Sequence, residues 1–259
     1  MSHHESKKYF ADVHAMPAHE LGGVPHGLAD TPEVLALREG KGYDDLMALA
    51  RALCWQLRCR DAIEVYTKAV RLDPSRPDAY RQRAAKYINT MQPEKAIADF
   101  RRSLELGCDR ADTLYRLGIA YHLAGEYEKA MAAEAEAYPC FGDEMGIAAI
   151  YWHTVSAYKG GAAPELLKFY HKDMDVGHHT AYRFAMSLAA GEISMEEALE
   201  RLKAEKSDLE YSMMAYGAAI YMRRQGRTRD AEALLKSVVK RDGFWISYGY
   251  LAAWKDVNG

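Results

Sequence analysis

Histidine and cysteine carry the widest range of chemistry in this sequence, and their spacing limits what they could do. The sequence has ten histidines and four cysteines. One histidine group comprises His171, His178 and His179, and five more lie near the N-terminus at His3, His4, His14, His19 and His26. Neutral imidazoles bind zinc, copper or nickel, so a flexible arm could wrap an ion. The spacings match no metal motif and no cysteine joins them, which favours solvent-exposed histidine and no metal.

Motifs for catalysis are weak or missing in the sequence. It contains no GxSxG elbow, no GxxxxGK[ST] phosphate loop, no GxGxxG turn and no HExxH helix. The adjacent carboxylates Asp44-Asp45 and Glu196-Glu197 fall at predicted helix N-termini, where they complement the helix dipole. We therefore predict that the protein is not an enzyme and needs no cofactor.

Composition and charge argue against nucleic acid and membranes as partners. The net charge is −3 and the isoelectric point is near 6.4, so no global positive field would gather nucleic acid or an anionic membrane. No run approaches the roughly 20 apolar residues of a spanning helix, and the N-terminus lacks the apolar stretch of a signal peptide. The cysteines form no CxxC pair, which indicates free, reduced and mostly buried thiols. These features predict a cytoplasmic protein that binds neither nucleic acid nor membrane.

The sequence contains a repeat of 34 residues, and the helices predicted from this repeat would position any functional side chains. Three segments align without gaps, at residues 43–76, 77–110 and 111–144. Each carries a pair of small residues, one in either half: Ala50/Ala62, Ala84/Ala96 and Gly118/Ala130. Two helices approach to about 8 Å where small residues meet, and larger side chains fill the grooves beside that point. The segments therefore predict three helix hairpins.

Over residues 43–144 this pattern resembles the tetratricopeptide-repeat (TPR) family, whose repeats have the same length. The resemblance implies an all-α, right-handed TPR-type α-solenoid of about six helix hairpins, with a C-terminal capping helix and an irregular N-terminal arm. The last three hairpins are degenerate, with second helices expected around Pro164, Ala198 and Ala231. Three residues depart from the family pattern: Arg83 replaces the usual leucine, Glu134 the usual aromatic residue and Trp152 the usual small residue.

The sequence is expected to divide into four regions. Residues 1–42 form an arm broken by prolines and glycines, with one short helix from Thr31 as N-cap through Arg38. Residues 43–144 hold the three regular repeats, 145–243 the degenerate hairpins and 244–259 the capping helix. That last helix has two apolar faces. Either a curled C-terminus covers both faces, or they form a dimer or partner contact, with Trp245, Tyr250 and Trp254 as candidates.

In the TPR family the first helix of each hairpin lines a concave groove that holds the partner. Carried onto this sequence, the family's contact positions are Met47, Arg51, Trp55, Arg81, Asn89, Tyr115, His122, His153, Arg183, Tyr216 and Arg223. Arginine binds carboxylates through paired hydrogen bonds, and aromatic rings give rigid apolar contact. An acidic peptide or a free C-terminal carboxylate suits such a groove. The family's chaperone-binding clamp is not expected, because Met47 and Asp112 occupy both of its lysine positions.

The resemblance implies an adaptor or scaffold that binds a peptide or protein segment in the groove. Function does not follow from fold alone, so two alternatives from other classes stay open. One is a metal-binding or regulatory protein that uses the histidine-rich arm. The other is a structural scaffold that forms a homodimer through the aromatic C-terminal helix.

Overall fold

The computed structural model describes Leu21 and residues 29–259, and the regular elements of this part are all helical. The chain forms two compact units, residues 1–113 and residues 114–259. No β-strand occurs in the described ranges, which confirms the predicted all-α class built from TPR-type helices. None of the described helices is long and apolar enough to cross a membrane.

The first unit contains a short helix followed by two helix hairpins. The short helix, α1 (Pro32–Leu37), is capped by Thr31, whose hydroxyl accepts the Val34 N–H at 3.4 Å, as the sequence predicts. The hairpins pair α2 (Tyr43–Trp55) with α3 (Cys59–Leu72), and α4 (Pro77–Asn89) with α5 (Pro93–Glu105). Helix α6 (Arg110–Ala124) begins in this unit and ends in the second.

The predicted small residues of the first unit lie in the core of its helix hairpins. Ala50, Ala62, Ala84 and Ala96 are fully buried, which lets each helix pair pack closely. Left-handed backbone occurs at equivalent turns 34 residues apart, at Leu57 (φ 56), Met91 (φ 55) and Gly125 (φ 79). The repeat therefore governs the backbone of the turns as well as the packing of the helices.

The second unit is built from the end of α6 and seven further helices. These are α7 (Tyr127–Ala137), α8 (Asp143–Gly160), α9 (Thr180–Ala189), α10 (Met195–Ala204), α11 (Asp208–Arg224), α12 (Thr228–Lys240) and α13 (Tyr248–Asn258). Every residue of α8 from 146 to 157 and every residue of α11 from 211 to 220 is buried. Because a helix that is mainly apolar on all sides is surrounded by other elements, α8 and α11 form the centre of this unit.

Two elements of the second unit differ from expectation. The second helix expected around Pro164 is instead a short 3-10 segment, Glu165–Phe169. Gly161, with φ 72, ends α8, and Pro164 cannot donate the N–H that a helix needs. The C-terminal helix begins at Tyr248 and not near residue 244, because Ser247 caps it by accepting the Tyr250 N–H at 3.1 Å.

The remaining sequence-based expectations have mixed outcomes. All four cysteines are free as expected, but Cys59 is the one that is buried and Cys140 is exposed. Most of the N-terminal arm, residues 1–20 and 22–28, lies outside the described residues. The division of the sequence into four regions stays a prediction.

Arg83 stands where the family carries leucine, and an ion pair takes the place of apolar packing. Its guanidinium donates to the two carboxylate oxygens of Asp99 at 2.7 and 2.8 Å, and to the Thr67 hydroxyl at 3.0 Å. The two charged side chains are 12% and 10% exposed. The rings of Tyr80 and Tyr87 each lie 5.7 Å from the guanidinium carbon. The pair joins α4 to α5, and Thr67 extends the contact to α3.

Asp99→Ala is expected to lower the free energy of unfolding by about 3 kcal/mol, because it leaves the Arg83 charge buried without its partner. Urea denaturation followed by circular dichroism measures the change. Glu105→Ala is the matched control, since Glu105 pairs with Arg102 at the surface of the same helix. That control should leave the denaturation midpoint nearly unchanged. Equal losses in the two variants would contradict a structural role for the buried pair.

Candidate partner-binding surface

The predicted contact residues divide between the two units. Met47, Arg51, Trp55, Arg81 and Asn89 belong to the first unit. The second unit contains Tyr115, His122, His153, Arg183, Tyr216 and Arg223. The two sets have different surroundings: part of the first is exposed, whereas most of the second is buried.

Helix α2 of the first unit presents an arginine and an aromatic ring on one face. Arg51 and Trp55 are four residues apart, so their side chains are neighbours on the helix surface. Both are exposed, and Trp55 has an exposed fraction of 45%. Met47, one turn earlier, is 4% exposed and belongs to the core of this unit. A large ring beside a cation is a combination enriched at protein interfaces.

Helix α4 carries the second predicted arginine, and a carboxylate already balances its charge. Arg81 donates to Asp112 at 2.6 Å, and the two side chains are 26% and 29% exposed. Asp112 stands at one of the positions where a chaperone-binding clamp has lysine, so the charge there is reversed. Asn89, the last residue of α4, is buried. Arg51 and Trp55 are therefore the exposed members of the first set.

In the second unit, His122 is a hydrogen-bonded core residue. Its ring bonds to the Ser156 hydroxyl through Nδ1 at 2.8 Å and to the Tyr216 hydroxyl through Nε2 at 2.6 Å. The ring also packs edge-on against Trp152, with 5.2 Å between centroids. Burial, with a smaller contribution from Lys159, lowers the pKa of His122 well below its ordinary value. A neutral imidazole therefore joins α6, α8 and α11.

Three further predicted contact residues are buried or bonded within the second unit. The hydroxyls of Tyr115 and Tyr182 lie 3.2 Å apart, and both side chains are buried. His153 is also buried, and the loss of solvation lowers its pKa to about 4. Arg183 donates to the main-chain carbonyl of Met174. In this structure these side chains are buried or bonded within the unit and present little surface to a partner.

The C-terminal helix α13 supplies a carboxylate to Arg223, one of the arginines predicted to bind a partner. Asp256 accepts hydrogen bonds from Lys159 and from Arg223, the latter at 3.0 Å, and its side chain is 7% exposed. Arg116 of α6 donates to the Tyr248 hydroxyl of the same helix α13 at 3.0 Å. Helix α13 thus binds Arg116 and also Arg223, which the resemblance assigns to a ligand.

The aromatic residues proposed for an interface are mostly covered by their own chain. Trp245 and Tyr250 are 3% and 2% exposed, and the Tyr250 hydroxyl donates to the Val239 carbonyl at 3.3 Å. Trp254 is partly exposed. Helix α13 packs on α11 and α12 of its own chain and runs to Asn258, so other helices, and not a curled C-terminus, lie against it. A dimer contact that includes Trp254 stays a prediction.

Sequence reasoning missed Asp256 and Lys159. A signal for Asp256 was present, because Tyr248, Ala252 and Asp256 are spaced four residues apart and share one face of α13. A carboxylate on a face that is otherwise buried indicates an opposite charge facing it. Lys159, in the last turn of the long helix α8, gave no comparable signal.

Glu134, which departs from the family pattern, is a buried carboxyl group. It is fully buried, and neither side-chain oxygen has a hydrogen-bond partner among the described residues. It fits because Gly118 faces it: a Cβ atom at Gly118 would lie 2.3 Å from Glu134 Oε1. Burial raises the pKa of Glu134 well above its ordinary value. The carboxyl therefore retains its proton at pH values where an exposed glutamate is ionised.

One group of three potential metal ligands occurs in the described part of the chain. It consists of Glu144, His178 and His179. His171, which the sequence groups with the other two histidines, does not belong to it. The five histidines of the N-terminal arm lie outside the described residues, so the metal-binding alternative for the arm stays a prediction.

Comparison with known proteins identifies the repeat region. A family profile described as tetratricopeptide repeat matches residues 87–144. The chain is similar to Tetratricopeptide repeat protein 36 of Caenorhabditis elegans, with 37% identity over 78 residues, which cover 29% of this chain and 44% of that protein. It is also similar to the TPR repeat-containing thioredoxin TDX of Arabidopsis thaliana, with 35% identity over 75 residues, which cover 29% of this chain and 20% of that protein. The chain thus spans less than half the length of these curated relatives.

Two solved structures are similar to this chain at low sequence identity. YrrB, described as a TPR protein with an unusual peptide-binding site, has a TM-score of 0.48 and 16% identity, covering 86% of this chain and 97% of that one. The structure of Naa15/Naa10 bound to HypK-THB has a TM-score of 0.39 and 16% identity, covering 97% of this chain and 37% of that one. Scores at this level add no argument about function.

Proposed function

The chain belongs to the tetratricopeptide-repeat family, and on that premise we propose that it is a protein-interaction module. A peptide or protein segment binds to the first helices of the first unit, α2 and α4.

The observation that carries the proposal is the exposure of Trp55 beside Arg51 on α2. An indole ring that is 45% exposed retains apolar area that a partner could remove from water. Arg51 places a guanidinium one helical turn away, where it can form paired hydrogen bonds with a carboxylate. Tryptophan and arginine are also the residues that most often dominate binding energy at interfaces.

The second unit supports the same chemistry from within the chain. There, Arg223 and Arg116 hold the Asp256 carboxylate and the Tyr248 hydroxyl of α13. Within the second unit, these two arginines thus contact an acidic and an aromatic side chain of one helix. By analogy, the partner segment offers an acidic residue to Arg51 and an apolar residue to Trp55. Arg81 contributes less, because Asp112 already neutralises it.

The Arg51→Ala/Trp55→Ala double variant is expected to lose the partner that the intact chain captures. The full chain is immobilised on a resin and incubated with native lysate. The proteins that it captures are identified by mass spectrometry. Truncation of a hot-spot residue costs about 2 kcal/mol. Affinity for the purified partner should therefore fall at least about 30-fold. Isothermal titration calorimetry measures that change.

The matched control is Leu72→Ala/Arg101→Ala, which removes one exposed apolar side chain and one exposed arginine from the second helices of this unit. Leu72 is 54% exposed at the end of α3, and Arg101 is exposed on α5. A protein that the control retains and the Arg51/Trp55 variant loses supports the proposed surface. Recovery of the same proteins by both variants would exclude it.

A further inference from the structure

Two neighbouring histidines and a glutamate meet at the start of α8. Glu144 is the second residue of that helix, and His178 and His179 directly precede α9. One potential ligand atom from each residue lies within 4.8 Å of the other two. The closest approach is between His178 Nδ1 and Glu144 Oε1, at 2.8 Å. Residues far apart in sequence therefore present two imidazoles and a carboxylate to one point.

The orientation of His179 leaves a ring nitrogen available to an ion. Its Nδ1 lies 2.6 Å from the main-chain carbonyl oxygen of Glu144. Since a carbonyl can only accept, Nδ1 carries the proton and Nε2 keeps its lone pair. Histidines that bind metals usually donate their other ring N–H to a carbonyl or carboxylate in this way, which holds the ring in place.

The loop that carries the histidines is held against α8 by contacts away from the three ligands. Met174 and Val176 are 3% and 1% exposed, so the loop is anchored in the core of the second unit. The Asp175 N–H donates to the Asp143 carboxylate at 2.9 Å, next to Glu144. The loop fixes the approach of the histidines without any contribution from an ion.

Gly177 allows this close approach. Its φ of 51 is in the left-handed region, which glycine adopts without strain. A Cβ atom at this position would lie 2.5 Å from Glu144 Oε1. A larger residue would therefore push the glutamate away from the two histidines.

We propose that Glu144, His178 and His179 form a binding site for a divalent cation of the zinc type. Two imidazole nitrogens and one carboxylate oxygen are ligands that zinc accepts, and a site with three protein ligands leaves one position for water. Ligand atoms around a zinc ion lie about 3.4 Å apart, given bond lengths of about 2.1 Å. Glu144 and His178 are exposed, so rotation of their side chains can close the remaining distance. The bound ion would connect the loop at 170–179 to the start of α8.

The site is tested by zinc titration of the full chain after removal of metals with a chelator. Isothermal titration calorimetry gives the number of ions bound by the intact chain and by His178→Ala, His179→Ala and Glu144→Gln. Each variant is expected to lose one equivalent. His171→Ala, in the same loop, is the matched control and should keep it. The histidines of the N-terminal arm are present in every variant, so any ion that they bind is a constant background.

Cobalt gives a second measurement on the same variants. Cobalt bound by two imidazoles and a carboxylate absorbs visible light, and the intact chain and His171→Ala should show that absorption. Its loss in His178→Ala, with far-UV circular dichroism unchanged, supports the site. Equal zinc stoichiometry and equal cobalt spectra in the intact chain, His178→Ala and Glu144→Gln would overturn it.

Discussion

At pH 7 the Glu134→Gln variant is expected to melt at a higher temperature than the parent protein, and the difference should shrink near pH 4.5. Glu134 is fully buried and has no hydrogen-bond partner among the described residues. Burial therefore raises its pKa well above the ordinary value of 4.5. Glutamine has almost the same shape and has no carboxyl proton.

The direction of the effect follows from proton linkage. Between the two pKa values, the folded protein keeps a proton that the unfolded chain releases, so unfolding becomes easier as the pH rises. The stability that this group provides is present below pH 4.5 and is lost above it. The loss is about 1.4 kcal/mol per pH unit until the folded carboxyl also ionises. The glutamine variant does not undergo this loss.

Thermal unfolding followed by circular dichroism at three pH values between roughly 4.5 and 7.5 measures the difference. Glu136→Gln is the matched control, since Glu136 is exposed on the same helix two residues later. That control should change the melting temperature little at any pH. If Glu134→Gln kept the pH dependence of the parent protein, the folded carboxyl would not be the group whose pKa is raised.

The fold of residues 43–144 could be predicted because short-range features determine it. Small residues such as Ala50 and Ala62 are buried in the helix pairs, and the period alone identifies them. The turns at Leu57 and Met91 adopt the same left-handed backbone 34 residues apart. In the degenerate hairpins the repeat pattern is less regular, so the prediction of individual helices is less accurate. Around Pro164, where a helix was expected, the structure has only a short 3-10 segment.

The surroundings of the predicted contact residues were harder to predict. The 34-residue repeat predicts which face of its own helix a residue occupies. It does not predict which distant helix packs against that face. His122 bonds to Tyr216, 94 residues later, and Lys159 bonds to Asp256, 97 residues later. Arg51 could be predicted as an exposed side chain because it lies on a regular repeat.

The same limit applies to the three proposed metal ligands. Metal motifs that can be recognised in a sequence place their ligands a few residues apart. Here the Glu144 carbonyl and His179 are 35 residues apart and meet through an irregular loop. The buried anchors Met174 and Val176 and the turn at Gly177 bring them together, and none of these is a metal ligand itself.

Asp256→Ala is expected to lower the free energy of unfolding of the second unit by about 3 kcal/mol, because two cations lose the carboxylate that neutralises them in a largely buried site. Lys159 and Arg223 are 14% and 32% exposed, and both donate to Asp256. Asp230→Ala is the matched control. Asp230 pairs with Arg227 at 2.7 Å, with the two side chains 55% and 39% exposed, so its loss should have little effect.

Hydrogen exchange distinguishes two ways in which α13 can contribute to the second unit. If amides of α13 exchange faster in Asp256→Ala while those of α11 stay protected, the last helix is a separable ligand of its own chain. The TPR positions around Arg116 and Arg223 would then form a second surface that can accept an acidic helix. If α11 and α13 lose protection together, α13 is part of the core. Exchange rates like those of the parent protein in both helices would contradict a role for Asp256 in holding the C-terminal helix.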